Sequence, residues 1–226
     1  MSLINIGLIF VAGLDLGIAL LIWLRNPKNK INISLPVGIV FLAIWTFGSA
    51  MMREATSVSS ALFWGKILNI GGIVLIVPFW LFSEYFPYQI KKLSKIKISL
   101  AFLMMVIILI VLYIPNLYLL ESGIVLNPSS NNYHFNHGYK LFVAYFLFFM
   151  FLAYYNFFTK YKNSQGFLRT QLYYIIVGTG VVSLFGTIFG AITPLFYEGR
   201  YFWIGPYFAL PMIVILTYFV FKNSGR

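Results

Sequence analysis

The sequence predicts an all-α polytopic membrane protein, a single bundle of seven transmembrane helices spanning residues 1–226, N-terminus outside and C-terminus cytoplasmic. Three observations predict it. Of the 226 residues, 61% are hydrophobic and only 9% charged, against about 25% charged in a soluble domain. So few charges cannot cover a water-facing surface, and a soluble globular enzyme is excluded. The apolar residues also gather into seven long runs, each near the roughly 20 residues needed to cross about 30 Å of hydrocarbon. Finally, the basic residues sit in alternate loops. These runs are continuous, without the ten-residue alternation of a membrane barrel, and helices satisfy their own backbone groups in lipid.

The first run, near 3–24, is not a cleavable signal peptide: it lacks a basic leading region, is too long, and is interrupted by Asp15. Further runs lie near 34–52, 60–86 and 98–115. An external loop, 116–138, follows. Its two short apolar stretches flank Asn127-Pro128-Ser129-Ser130, which predicts a small hairpin over the outer face. The last three runs lie near 139–159, 171–196 and 203–222. Segments 25–32, 87–97, 160–170 and the tail hold twelve of the 16 lysines and arginines. By the positive-inside rule that side is cytoplasmic. The net charge of +11 thus reflects cytoplasmic loops, and no nucleic-acid partner is expected; the partner that composition demands is the lipid bilayer.

Candidate functional residues begin with charges inside the membrane, each costing a few kcal/mol unless paired or wet. Asp15 lies near the middle of the first span and Lys66 about two turns into the third. Their depths differ by roughly 6 Å at 1.5 Å per residue, within reach of a lysine stem. A pair, or a polar pocket open to the outside, is one reading. The other has Lys66 snorkelling outward and Asp15 bonded to a neighbouring helix. Asn69 lies one turn below Lys66 on the same face. Pro36, Pro78, Pro194, Pro206 and Pro211 are expected to kink or end helices, with Pro206 and Pro211 as a hinge in the last span. The Gly186 and Gly190 pair reads as close helix packing. His134 and His137 are too few for a zinc site and read as loop histidines. No metal and no cofactor are expected. The absence of cysteine removes thiol chemistry, no nucleophile–base set or phosphate loop is present, and no enzyme activity is assigned. The many aromatics are read as lipid-facing and interfacial residues.

Against this background the chain resembles the seven-transmembrane sensor region at the N-terminus of prokaryotic histidine kinases. The resemblance rests on the basic turn Leu24-Arg25-Asn26-Pro27-Lys28-Asn29-Lys30-Ile31-Asn32 and on FLAIWTFGSAMM (41–52) with Trp45 and Gly48. It continues in Trp64-Gly65-Lys66, Asn69-Ile70-Gly71, Pro78 and Phe82-Ser83-Glu84-Tyr85-Phe86-Pro87. Gly138-Tyr139, Arg169-Thr170-Gln171 and Ile204-Gly205-Pro206 complete it. The resemblance implies a receptor module of the cell membrane, active in two-component signal transduction, often as a homodimer. It would pass an external or membrane signal to a cytoplasmic output domain or partner protein. Such a domain would begin where this chain reads Lys222-Asn223-Ser224-Gly225-Arg226. A small solute transporter and a structural subunit of a membrane complex are the alternatives.

Overall fold

The computed structural model describes residues 1–90, 92–127, 131–196, 201–208, 214 and 218. Six helices among them are long and apolar enough to cross a membrane: α1 Leu3–Arg25, α2 Lys30–Arg53, α3 Val58–Tyr85, α4 Lys95–Tyr113, α5 His137–Asn163 and α6, which starts at Gly166. The α-helical part of α6 ends at Thr187, a π turn follows over Ile188–Ile192, and Thr193–Phe196 returns to α-helix. The seventh expected span is described at residues 203–208, 214 and 218, of which 204–208, 214 and 218 are helical.

Local signals explain most starts. Ser2, Asn29, Ser57, Ser94 and Asn136 each accept a hydrogen bond from a backbone N–H of the helix they precede, satisfying donors that a first turn leaves free. Cap positions lie outside the apolar runs, so the helices begin up to several residues earlier than hydrophobicity alone places them. Pro36 and Pro78 do not end their helices; α2 and α3 run through both. The Tyr145 hydroxyl donates to the Ile73 carbonyl at 3.0 Å, one residue before the carbonyl that Pro78 leaves without its N–H.

The centre of the bundle is the α2–α3 pair. An added Cβ on Gly71 would stand 2.6 Å from the Phe41 carbonyl and the Trp45 nitrogen, and one on Gly48 would stand 2.8–2.9 Å from Leu68. Without a hydrophobic force between helices in lipid, such close backbone contact drives association. α1 lays Leu8, Ala12, Asp15, Ala19 and Ile22 inward as one stripe. α4 is peripheral and buries only Ala101, Ile108 and Leu112.

The segment between α4 and α5 folds as the expected hairpin. Leu119 bridges Phe135 and Val125 bridges Asn132, both antiparallel, around a short 3-10 turn at Glu121–Gly123; residues 128–130 lie outside the described residues. Asn116 takes a left-handed conformation with φ 56°, which asparagine tolerates better than most residues. Its side chain accepts from Glu121 N and its carbonyl from Asn136 Nδ2. Asn131 pins the hairpin to the end of α2 by donating to the carbonyls of Met52 and Ala55 at 3.0 and 2.6 Å.

Candidate functional site

The expected polar site is dispersed. Asp15 is wholly buried, and among the described residues neither carboxylate oxygen has a hydrogen-bond partner. Lys66 does not pair with it. Its Nζ lies 5.5 Å from the centre of the Tyr113 ring on α4, where a cation is attracted to the ring face. The side chain turns outward toward α4, away from α1, so proximity in depth did not become proximity in space. Asn69 points into the bundle. It donates to the Gly65 carbonyl at 2.7 Å and accepts from the Tyr118 hydroxyl at 2.9 Å, which ties α3 to the base of the hairpin.

Around Asn69 lies an interior space. One small cavity is lined by Asn69, Leu68, Phe142, Gly190 and Phe202. A second, more open one is lined by Phe79, Met150, Ser183, Thr187 and Gly205. Trp45, Leu75, Phe146 and Gly186 line both, so the two meet at the indole of Trp45. Glycines make room for that ring: an added Cβ on Gly190 would approach it to 2.8 Å and one on Gly205 to 3.1 Å. The Gly186 and Gly190 pair therefore does not serve helix-on-helix packing alone, as its spacing suggested. Gly190 faces an aromatic ring from α2.

The wall contributed by α6 has a specific local cause. Pro194 has no N–H to return to Gly190 four residues earlier, and the helix widens into the π turn just before it. Such turns recur at functional sites. The free Gly190 carbonyl accepts instead from the Tyr139 hydroxyl at 2.8 Å. Tyr139 also stacks on Phe135 at 3.7 Å and meets Tyr118 edge-on at 5.4 Å, which ties the start of α5 and the π turn to the hairpin. Burial pushes the Tyr118 phenol well above its ordinary range, helped by Tyr139 and Tyr133 nearby, and pushes the Tyr133 phenol up as well.

Other positions escaped sequence reasoning. Arg53 Nε donates to Asn5 Oδ1 at 2.9 Å, and Asn5 Nδ2 donates to Glu54 Oε1 at 2.6 Å. The Arg53 guanidinium lies 5.3 Å from the Trp203 ring centre, and the Tyr207 hydroxyl donates to the Ile4 carbonyl at 2.7 Å. This knot joins α1, α2 and the start of the last span. Its only sequence signal was the Arg53-Glu54 pair at the end of a run. Trp45, Tyr118 and Tyr139 were legible only as aromatics, a class that is usually interfacial in membranes. Pro206 is buried in the helical segment 204–208, while Pro211 lies outside the described residues. His137 Nδ1 contacts Asn136 Oδ1 at 2.5 Å, and the His134 carbonyl accepts from Leu120 N, so both histidines take part in the hairpin and its exit.

A family model described as the N-terminal 7TM region of histidine kinase matches residues 7–224, nearly the whole chain. The chain belongs to this family. The expected resemblance therefore holds, and with it the reading of a membrane sensory module of the histidine kinase type, for which the family implies a cytoplasmic signalling domain. Comparison with curated proteins and with solved structures finds no match. Within the histidine kinase 7TM region, the matched segment includes Trp45, Asn69, Tyr118, Tyr139 and Gly190, all of the residues just described around the interior space.

Proposed function

We propose that the chain is the input module of a prokaryotic signalling system, seated in the plasma membrane as seven spans with its N-terminus outside and its Lys- and Arg-rich side in the cytoplasm. An apolar, membrane-soluble stimulus or a change in the membrane itself acts on the space around Trp45. The observation that carries this reading is that one cavity system touches Asn69 on α3, the π turn of α6 and Gly205 at the start of the last span. Occupying it biases two arrangements of the last span, with Pro206 and Pro211 as the hinge. A ligand moves such an equilibrium only by its different affinity for the two states. Catalysis belongs to an output domain or partner on the cytoplasmic side, in a homodimer. Asp15 and Lys66 do not line this space; with Asn69 they stand as the proposed signal-sensing polar residues, so Asp15→Asn should blunt signalling while leaving the protein inserted, and an unchanged response would remove Asp15 from that set.

A small transporter is the second reading, favoured by Asp15, a buried carboxyl without a hydrogen-bond partner. The polypeptide purified from its native membrane separates the two. A mass well above 25.9 kDa, or a cytoplasmic signalling protein held to it, supports the sensor. A species at that mass without such a partner, together with a solute flux in proteoliposomes that Asp15→Asn abolishes, overturns the sensor in favour of transport.

A further inference from the structure

A second cleft, unrelated to the signalling route, opens on the Lys- and Arg-rich side of the bundle. It holds about 920 Å³ of empty space between the ends of α3 and α5 and the segment that enters α4. Its back wall is Lys160, only 2% exposed. Lys160 Nζ donates to the carbonyls of Ser83, Glu84 and Phe86 at 2.7–2.8 Å, closing the C-terminus of α3. Those bonds satisfy the protons of the ammonium but not its charge. The negative end of a helix amounts to about half an elementary charge, the Tyr88 ring centre lies 5.8 Å from Nζ, and among the described residues Lys160 forms no ion pair. Lys92 and Lys97 line the same cleft, whereas Glu84 is its one carboxylate. Ser94, which caps α4, and Thr159 add hydroxyls there.

The surroundings are apolar. Ile90 at the rim is half exposed, as are Leu100 on α4 and Phe148 on α5, and Phe151 on α5 is more exposed still. Because α4 buries so few side chains, hydrocarbon has open helix faces beside a cationic recess. We propose that this cleft binds the phosphate head group of an anionic phospholipid, with Lys92 and Lys97 contacting the phosphate, Lys160 adding its buried charge behind them, and the acyl chains lying along α4 and α5. Basic recesses between membrane helices on the cytoplasmic side recognise such head groups by charge. A free phosphate would use the same lysines but gain nothing from the apolar rim.

The test is native mass spectrometry of the detergent-purified chain offered equal amounts of phosphatidylglycerol and phosphatidylcholine. The wild type should retain phosphatidylglycerol preferentially. Lys92→Gln with Lys97→Gln should cut that preference by about 30-fold, roughly fivefold for each lysine, with an unchanged thermal midpoint. Lys28→Gln with Lys162→Gln, basic positions outside the cleft, should leave the preference intact. Equal retention of the two lipids, a preference that survives the first double variant, or an equal loss in the second would each overturn the proposal. Displacement of phosphatidylglycerol by millimolar inorganic phosphate, with the same dependence on Lys92 and Lys97, would overturn the lipid as ligand and assign the cleft to soluble phosphate.

Discussion

Single polar side chains here act mainly as fasteners between elements. Lys160 serves three carbonyls at the end of α3, and a buried acceptor left unpaired costs about 1–3 kcal/mol. Lys160→Met keeps the bulk of the stem but orphans all three, so it should destabilise the bundle by at least about 3 kcal/mol in denaturation from detergent. The Tyr118 hydroxyl and Asn69 form one buried bond. A double-mutant cycle of Tyr118→Phe and Asn69→Ala should return a coupling of about 0.6–1.7 kcal/mol, the range for polar pairs between membrane helices; a value near zero would show that the bond does not hold hairpin to bundle. pH acts through the same cap. Tyr118 and Tyr133 have folded-state values raised by burial, whereas an unfolded chain ionises its tyrosines near about pH 10. Their contribution to stability is therefore full below that pH and is lost as pH rises toward the folded-state values. Thermal midpoints should fall above about pH 10, and Tyr133→Phe should flatten that fall.

At the scale of elements, close approach and helix irregularity are two separate devices. Gly71 faces backbone, which cannot yield, while Gly190 faces the edge of an indole, which can. Gly71→Ala should force α2 from α3 and cost about 1–3 kcal/mol as overpacking does. Gly190→Ala should instead displace the ring, shift Trp45 fluorescence, and be rescued by Trp45→Phe. The π turn makes a related prediction. Tyr139→Phe removes the donor to Gly190 and should cost about 1 kcal/mol. In a Pro194→Ala background, where residue 194 regains an N–H, that cost should shrink; an unchanged cost would dissociate Tyr139 from the proline. The glycine spacing was visible in the sequence. Whether it met a helix or a ring depended on a tryptophan more than a hundred residues away.

For the whole molecule, the absence of cysteine makes topology directly testable. A single cysteine at Ser122, on the exposed 3-10 turn, should react with an impermeant maleimide in intact cells, and one at Ser94 only after the cells are opened. The reverse pattern would invert the proposed orientation. Composition alone determined that this chain lives in a bilayer, because a chain with 9% charge has no other solvent. Run lengths located the six described helices to within a few residues, since the hydrocarbon thickness sets a minimum that every span must meet. The hairpin between α4 and α5 was legible too, through its turn residues. The site was not, because hydrophobicity reports depth along a helix and says little about rotation around it. Asp15 and Lys66 lie within roughly 6 Å of each other in depth yet face different neighbours, while Trp45, Asn69, Phe146 and Gly190, scattered along the chain, line one space. Only packing sets those rotations: the Gly48 and Gly71 contact orients α2 against α3, and Pro194 frees the carbonyl that draws Tyr139 to α6.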